Sequence, residues 1–146
     1  GEIVVHGHSG DAMGYGMRDG QIYIKDNVAC RGGIHMKEFR QMRPVLVIGE
    51  NAGSFLGEYM AGGTIVLLGL NLKRGEKLFG THCASGMHGG KIFVRGLFPK
   101  ENLSDNIKVT NLDDDDVDYY LVKYMQSHKN KVDTIGACDC YVLDIC

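Results

Sequence analysis

Proline is nearly absent from this chain, with 2 residues in 146 against 21 glycines. Few residues lock φ and many release it, so the backbone is built to turn sharply and often. The glycines follow no G-X-Y period, which excludes collagen. Positive charge is not in excess either: 16 Lys and Arg stand against 18 Asp and Glu, for a formal charge of −2. Nothing globally basic invites nucleic acid. No apolar run is long enough to span a membrane, and no secretory leader pattern is present. A cytoplasmic protein without a membrane partner is therefore expected. The start at Gly1 rather than Met reads as a processed start or an excised fragment. Five cysteines, an odd number without an export signal, read as reduced thiols.

What is present is a globular composition, 44% hydrophobic and 23% charged, which argues against disorder and for a single domain with its own core. Glycine-studded segments alternate with short apolar runs. The pattern Met-x-x-Gly-x-Ile-x-hydrophobic begins at Met17, Met60 and Met87, so the chain reads as a repeat protein. Strands are expected at Glu2–His6, Gln21–Lys25, Pro44–Ile48, Thr64–Leu68 and Lys91–Arg95. Matching apolar residues are taken as Ile3, Ile22, Val45, Ile65 and Ile92, with alternate residues such as Val45 and Val47 pointing inward.

Those strands return about every twenty residues, twice the roughly 8–12 of a hairpin sandwich, and no amphipathic helix fills the intervals. The expected fold is all-β: a single-stranded right-handed parallel β-helix, a solenoid of about five short coils. From Leu97 the composition changes. Leu112 to about His128 reads as a helix capped by Thr110 or Asn111, with Asp113–Asp116 loading its first turn. Its stripe of Val117, Leu121, Tyr124, Met125 and His128 makes it a C-terminal capping α-helix. The domain reading is thus residues 1–97 as the glycine-rich β-helix. Residues 98–146 form a linker, capping helix and cysteine-bearing tail on the same domain, with one more strand possible in the tail.

The stretches LGEYMAGGTIVLLG and ASGMHGGKIFVRG resemble the GXGXG domain, the C-terminal domain of the glutamate synthase large subunit, and SGDAMGYGMRDGQIYI resembles its opening segment. A related domain occurs in one of the subunits of formylmethanofuran dehydrogenases. The resemblance covers Gly7 to about Gly96, and Arg40–Arg43 stands where the longer family domain has more coil. It implies a non-catalytic structural or interaction subunit of a glutamate-synthase-like complex in glutamate biosynthesis. Its implied partners are a glutaminase and a flavin-bearing synthase, with a homo-oligomer also open. The alternatives are a scaffold of a formylmethanofuran-dehydrogenase-type complex, or a metal or redox protein using the terminal cysteines.

Site by site, the bland reading prevails. HSGDAMGYG offers backbone N–H groups to a phosphate, but no helix follows and no Gly-Lys-Ser/Thr appears. Neither His6, His8 and Asp11 nor His82, Cys83 and His88 shows paired zinc-ligand spacing. Cys138, Cys140 and Cys146 reach a metal set only if joined by Cys30 or Cys83. Ser9, Ser54 and Ser85 lie outside any Gly-x-Ser-x-Gly elbow. No residue is assigned a catalytic, cofactor-binding or metal role, and no cofactor is expected. Lys37, Arg40 and Arg43 with Lys73, Arg74 and Lys77 would form one basic patch if their two loops shared a side.

Overall fold

The computed structural model describes residues 1–111, 123 and 140–145. Five strands follow one another in chain order: β1 (Glu2–Val5), β2 (Gln21–Ile24), β3 (Val45–Ile48), β4 (Ala61–Leu67) and β5 (Gly89–Arg95). All four neighbouring pairs are parallel. A single 3-10 turn at Lys100–Asn102 precedes β6 (Ile107–Asn111) and β7 (Cys140–Ile145). β7 runs antiparallel to both β5 and β6, giving one seven-stranded sheet of order β1-β2-β3-β4-β5-β7-β6.

The expectation of a right-handed parallel β-helix solenoid with a capping α-helix is therefore corrected. The sheet is mixed, and no α-helix stands among the described elements. A physical reason lies in glycine supply. Each of β2 to β5 is entered through a connection containing residues at positive φ, and beyond Gly96 the sequence offers only Gly136. Beyond that supply, β7 pairs antiparallel with β5. The expected helix, Leu112 to His128 with its acidic start Asp113–Asp116, lies outside the described residues apart from Lys123. Thr110 and Asn111, the expected caps, are the last two residues of β6. There Ile107 and Val109 alternate with Lys108 and Thr110, the period of a strand.

Four of the five expected strand cores are aligned as read, and one is shifted. Ile3, Ile22, Leu46, Ile65 and Ile92 stand in one row across β1 to β5. Leu46, not Val45, is the equivalent residue. Leu46 and Ile48 face the main core, with Ile22, Ile24, Ile65, Leu67, Ile92 and Val94. Val45 and Val47 instead join Tyr23, Val66 and Leu68 in a separate cluster. A slip of one residue exchanges the two faces of a strand, and PVLVI is apolar at both parities, so alternation there cannot choose.

The connections are ordered by backbone hydrogen bonds between successive layers. Ala12 N–H donates to Cys30 O, Arg31 N–H to Ser54 O and Phe55 N–H to Thr81 O, all at 2.8–2.9 Å. Further on, Gly16 N–H donates to Ile34 O, His35 N–H to Glu58 O and Tyr59 N–H to Ser85 O. Inside these arcs Met17, Met36, Met60 and Met87 occupy matching places and line the core; the last three are buried, Met17 partly so. Unbranched thioethers fill such irregular space well.

Candidate functional site

The two ladders of layer-to-layer bonds place a set of large side chains on the outer side of the arcs. Arg31, Phe55 and His82 form one row, with the Arg31 guanidinium 4.8 Å from the Phe55 ring centre. Phe55 stacks on His82 at 4.9 Å with 8° between ring planes. The second row is Tyr15, His35 and Tyr59, with His35 edge-on to Tyr15 at 5.9 Å and stacked on Tyr59 at 5.2 Å. The Tyr59 ring covers Gly86, where a Cβ would lie 2.4 Å from Tyr59 Cδ1. Glycine at that position is what lets the ring lie flat.

Arg31 ties the rows together, its Nε 3.3 Å from Glu58 Oε2. Glu58 is buried, and this ion pair supplies the charge that its Oε2 otherwise lacks among hydrogen-bond donors. Arg18 braces the second row, with Nη1 donating to Gly16 O and His35 O at 2.9 Å. Tyr15 is 67% exposed and Tyr59 48%, so this is surface rather than core.

The backbone under these side chains is unusual. Arg31, His35, Phe55, Tyr59 and His82 all have φ between 53° and 62°. That left-handed region suits glycine and disfavours a residue with a Cβ by about 1–2 kcal/mol. Five bulky residues thus occupy places where glycine would relieve the backbone.

The other candidates are held apart or used up internally. In HSGDAMGYG, the N–H groups of Ser9, Ala12 and Gly16 donate to Asn27, Cys30 and Ile34 carbonyls, so they are not turned toward a phosphate. Asp11 Oδ1 accepts from Cys30 N–H at 2.9 Å, while His6 and His8 are exposed. His82 stacks outward, Cys83 points into the core, and His88 Nδ1 lies 3.1 Å from Gly86 O, so the three do not converge. Among the described residues, no group of three or more His, Cys, Asp or Glu is placed to hold a metal. Cys30 and Cys83 are free thiols, and burial pushes the Cys83 thiol far up. Cys138 and Cys146 lie outside the described residues, and Cys140 begins β7.

Ser54 Oγ accepts from Thr81 N–H and hydroxyl, a structural bond between layers, and Ser9 Oγ donates to Gly10 O. Ser85 engages its own turn through its N–H to His82 O. His82 also borders an open hollow of about 620 Å³ with Thr81, Asn102 and Asp105, in which Asn102 Nδ2 is buried without an acceptor. The single basic patch is corrected by topology. Lys37, Arg40 and Arg43 lie before β3, at the start of the parallel strands, whereas Lys73, Arg74 and Lys77 follow β4 at its far end. A seven-residue strand such as β4 separates the two edges by roughly 20 Å.

A protein-family model, the GXGXG motif, matches residues 3–140. The chain belongs to the GXGXG motif family. That family is associated with glutamate synthase-type domains. An uncharacterized protein of Methanocaldococcus jannaschii is similar to the chain, 40% identical over 94 residues, which are 63% of this chain and 36% of the relative. The chain thus spans little more than a third of that relative's length. No helix among the described residues is long and apolar enough to cross a membrane.

The rows of stacked side chains were not foreseen from the sequence. Of the repeat glycines, Gly14, Gly16, Gly57 and Gly86 stand at positive φ, whereas Gly89 does not. The signal passed over is Gly-x-x-Met, which occurs as GDAM at 10–13 and again as GYGM, GIHM and GEYM at 14–17, 33–36 and 57–60; the last three align. Aligning those three places His35 and Tyr59 in the column of Gly16.

Proposed function

We propose that this chain is a non-catalytic scaffold within a glutamate-synthase-like assembly, holding a glutaminase part and a flavin-bearing synthase part in register. The observation that carries this reading is the match to the GXGXG motif family over residues 3–140. The use of polar groups within the fold supports it. Asp11, Glu38 and Ser54 side chains accept from backbone N–H groups of neighbouring layers, which is bracing rather than chemistry. A scaffold needs rigidity and an exposed face, and the arcs supply both.

The experiment is co-purification of the tagged chain from its native cell, with identification of what accompanies it. Recovery of a flavin-containing synthase and a glutaminase in stoichiometric amounts is the expected outcome. Molybdopterin-binding subunits in their place would transfer the scaffold to a formylmethanofuran-dehydrogenase-type assembly. A chain that emerges alone with stoichiometric zinc or iron would sink the scaffold reading.

A further inference from the structure

We infer that the stacked aromatic and cationic rows on the arcs, together with the neighbouring Phe39–Met42 turn, are the surface that docks an acid-rimmed protein partner. This rests on the scaffold reading above and names the face that reading requires.

Three observations converge on it. The first is the backbone. Arg31, His35, Phe55, Tyr59 and His82 are held at positive φ, where glycine would be the easier residue. Strain of this kind is kept where the side chain has a use. Stacking between layers recovers part of the loss, yet the rings remain accessible, with Tyr59 half exposed.

The second is the turn that follows. Phe39 and Met42 bond each other through both backbone N–H groups, forming a tight projection directly after this arc. Phe39 is 51% exposed and Met42 39%, and Arg40, itself at φ 59°, lies over the Phe39 ring. Tyr, Phe, Met and Arg are the residues that protein interfaces concentrate, because they bring large rigid contact area at low entropic loss.

The third is charge. The chain is acidic overall, yet this edge carries Arg18, Lys37, Arg40 and Arg43. Of the acids nearby, Asp19 follows Arg18 in the chain, Glu58 is paired with Arg31, Glu38 faces Arg43 at 4.0 Å and accepts from Gly63 N–H, and Asp144 lines one hollow with Glu38, Arg43 and Lys91. A local cationic excess around apolar rings complements an apolar contact with acidic residues at its rim.

The test uses positive φ as its tool. In Phe55→Gly/Tyr59→Gly the backbone is satisfied better than before, so a folded protein is expected with little change in melting temperature. Retention of the glutaminase and synthase subunits in native co-purification should fall at least about tenfold. Charge reversal in Lys37→Glu/Arg40→Glu, which removes no ring, should lower retention and flatten its dependence on salt. Lys73→Glu/Arg74→Glu, at the other end of the strands, should retain the subunits as wild type does.

If wild type recovers the subunits and the first two variants do so equally well, the docking face is wrong and the scaffold reading stands. If wild type recovers neither subunit, both fall. Retention abolished by nuclease would overturn the protein partner in favour of nucleic acid. A wild-type dimer in light scattering that becomes a monomer in Phe55→Gly/Tyr59→Gly would overturn it in favour of a second copy of this chain.

Discussion

At the scale of single residues, two positions make sharp demands. The Cys83 side chain is fully buried, its N–H bonded to Asn102 O. Burial raises the thiol, so the native state holds its proton above the pH at which the unfolded chain releases it. The stabilising difference is intact below the ordinary thiol range and is lost as pH rises beyond about 9. Stability should fall there by up to about 1.4 kcal/mol per pH unit from this group alone, and Cys83→Ala should remove that slope. Urea titrations at pH 8 and pH 10 would show it; equal slopes for both proteins would refute the assignment. In the native protein at pH 8, half-buried Cys30 should react with iodoacetamide well before Cys83.

Gly90, at φ 86°, is the other demanding position. A Cβ there would lie 2.7 Å from Met60 Cε and 2.8 Å from Gly63 O. Gly90→Ala should destabilise by about 2 kcal/mol or more, read as a lower denaturation midpoint at unchanged m-value. Glycine at such places was legible in the sequence. The bulky residues at positive φ were not, because nothing in the types Arg, His, Phe or Tyr signals that conformation.

At the scale of elements, the short β-branched runs showed where β1 to β5 lie, and their parallel order follows the chain. What local pattern left open was the register of β3, since Val45 to Ile48 is apolar throughout. Leu46 sits in the main core without exposure, whereas Ile3 in the same row is 57% exposed on the first strand. Leu46→Ala should therefore lower stability by about 2–5 kcal/mol and Ile3→Ala by far less. Comparable losses in chemical denaturation would contradict the register. The same logic ranks Met60→Ala above Met17→Ala, since Met17 is only partly buried. The expected linker and helix start pass over β6, although Ile107 and Val109 alternate there with polar residues.

At the scale of the whole molecule, the reversal that makes the sheet mixed was hidden because pairing partners lie far apart. Phe93 of β5 faces Val142 of β7, and no local signal near either names the other. The strand order puts β3 and β4 in the interior and β1 and β6 at the two ends. Amide hydrogen exchange should be slowest in β3 and β4 and fastest in β1 and β6. Uniform protection across β1 to β4 would mean that the sheet opens as one unit rather than from its ends.

The parallel register also bears on how the chain assembles. Four of its strand pairs join segments only about twenty to thirty residues apart, whereas β7 must find β5 across about fifty. Going from twenty to fifty residues adds only about 0.8 kcal/mol of closure entropy, so the late pair is delayed chiefly by waiting for its own residues to exist. During synthesis each new layer can settle on the one before it, and the outer edge of β5 stays open, available to any other extended chain until Cys140–Ile145 leaves the ribosome.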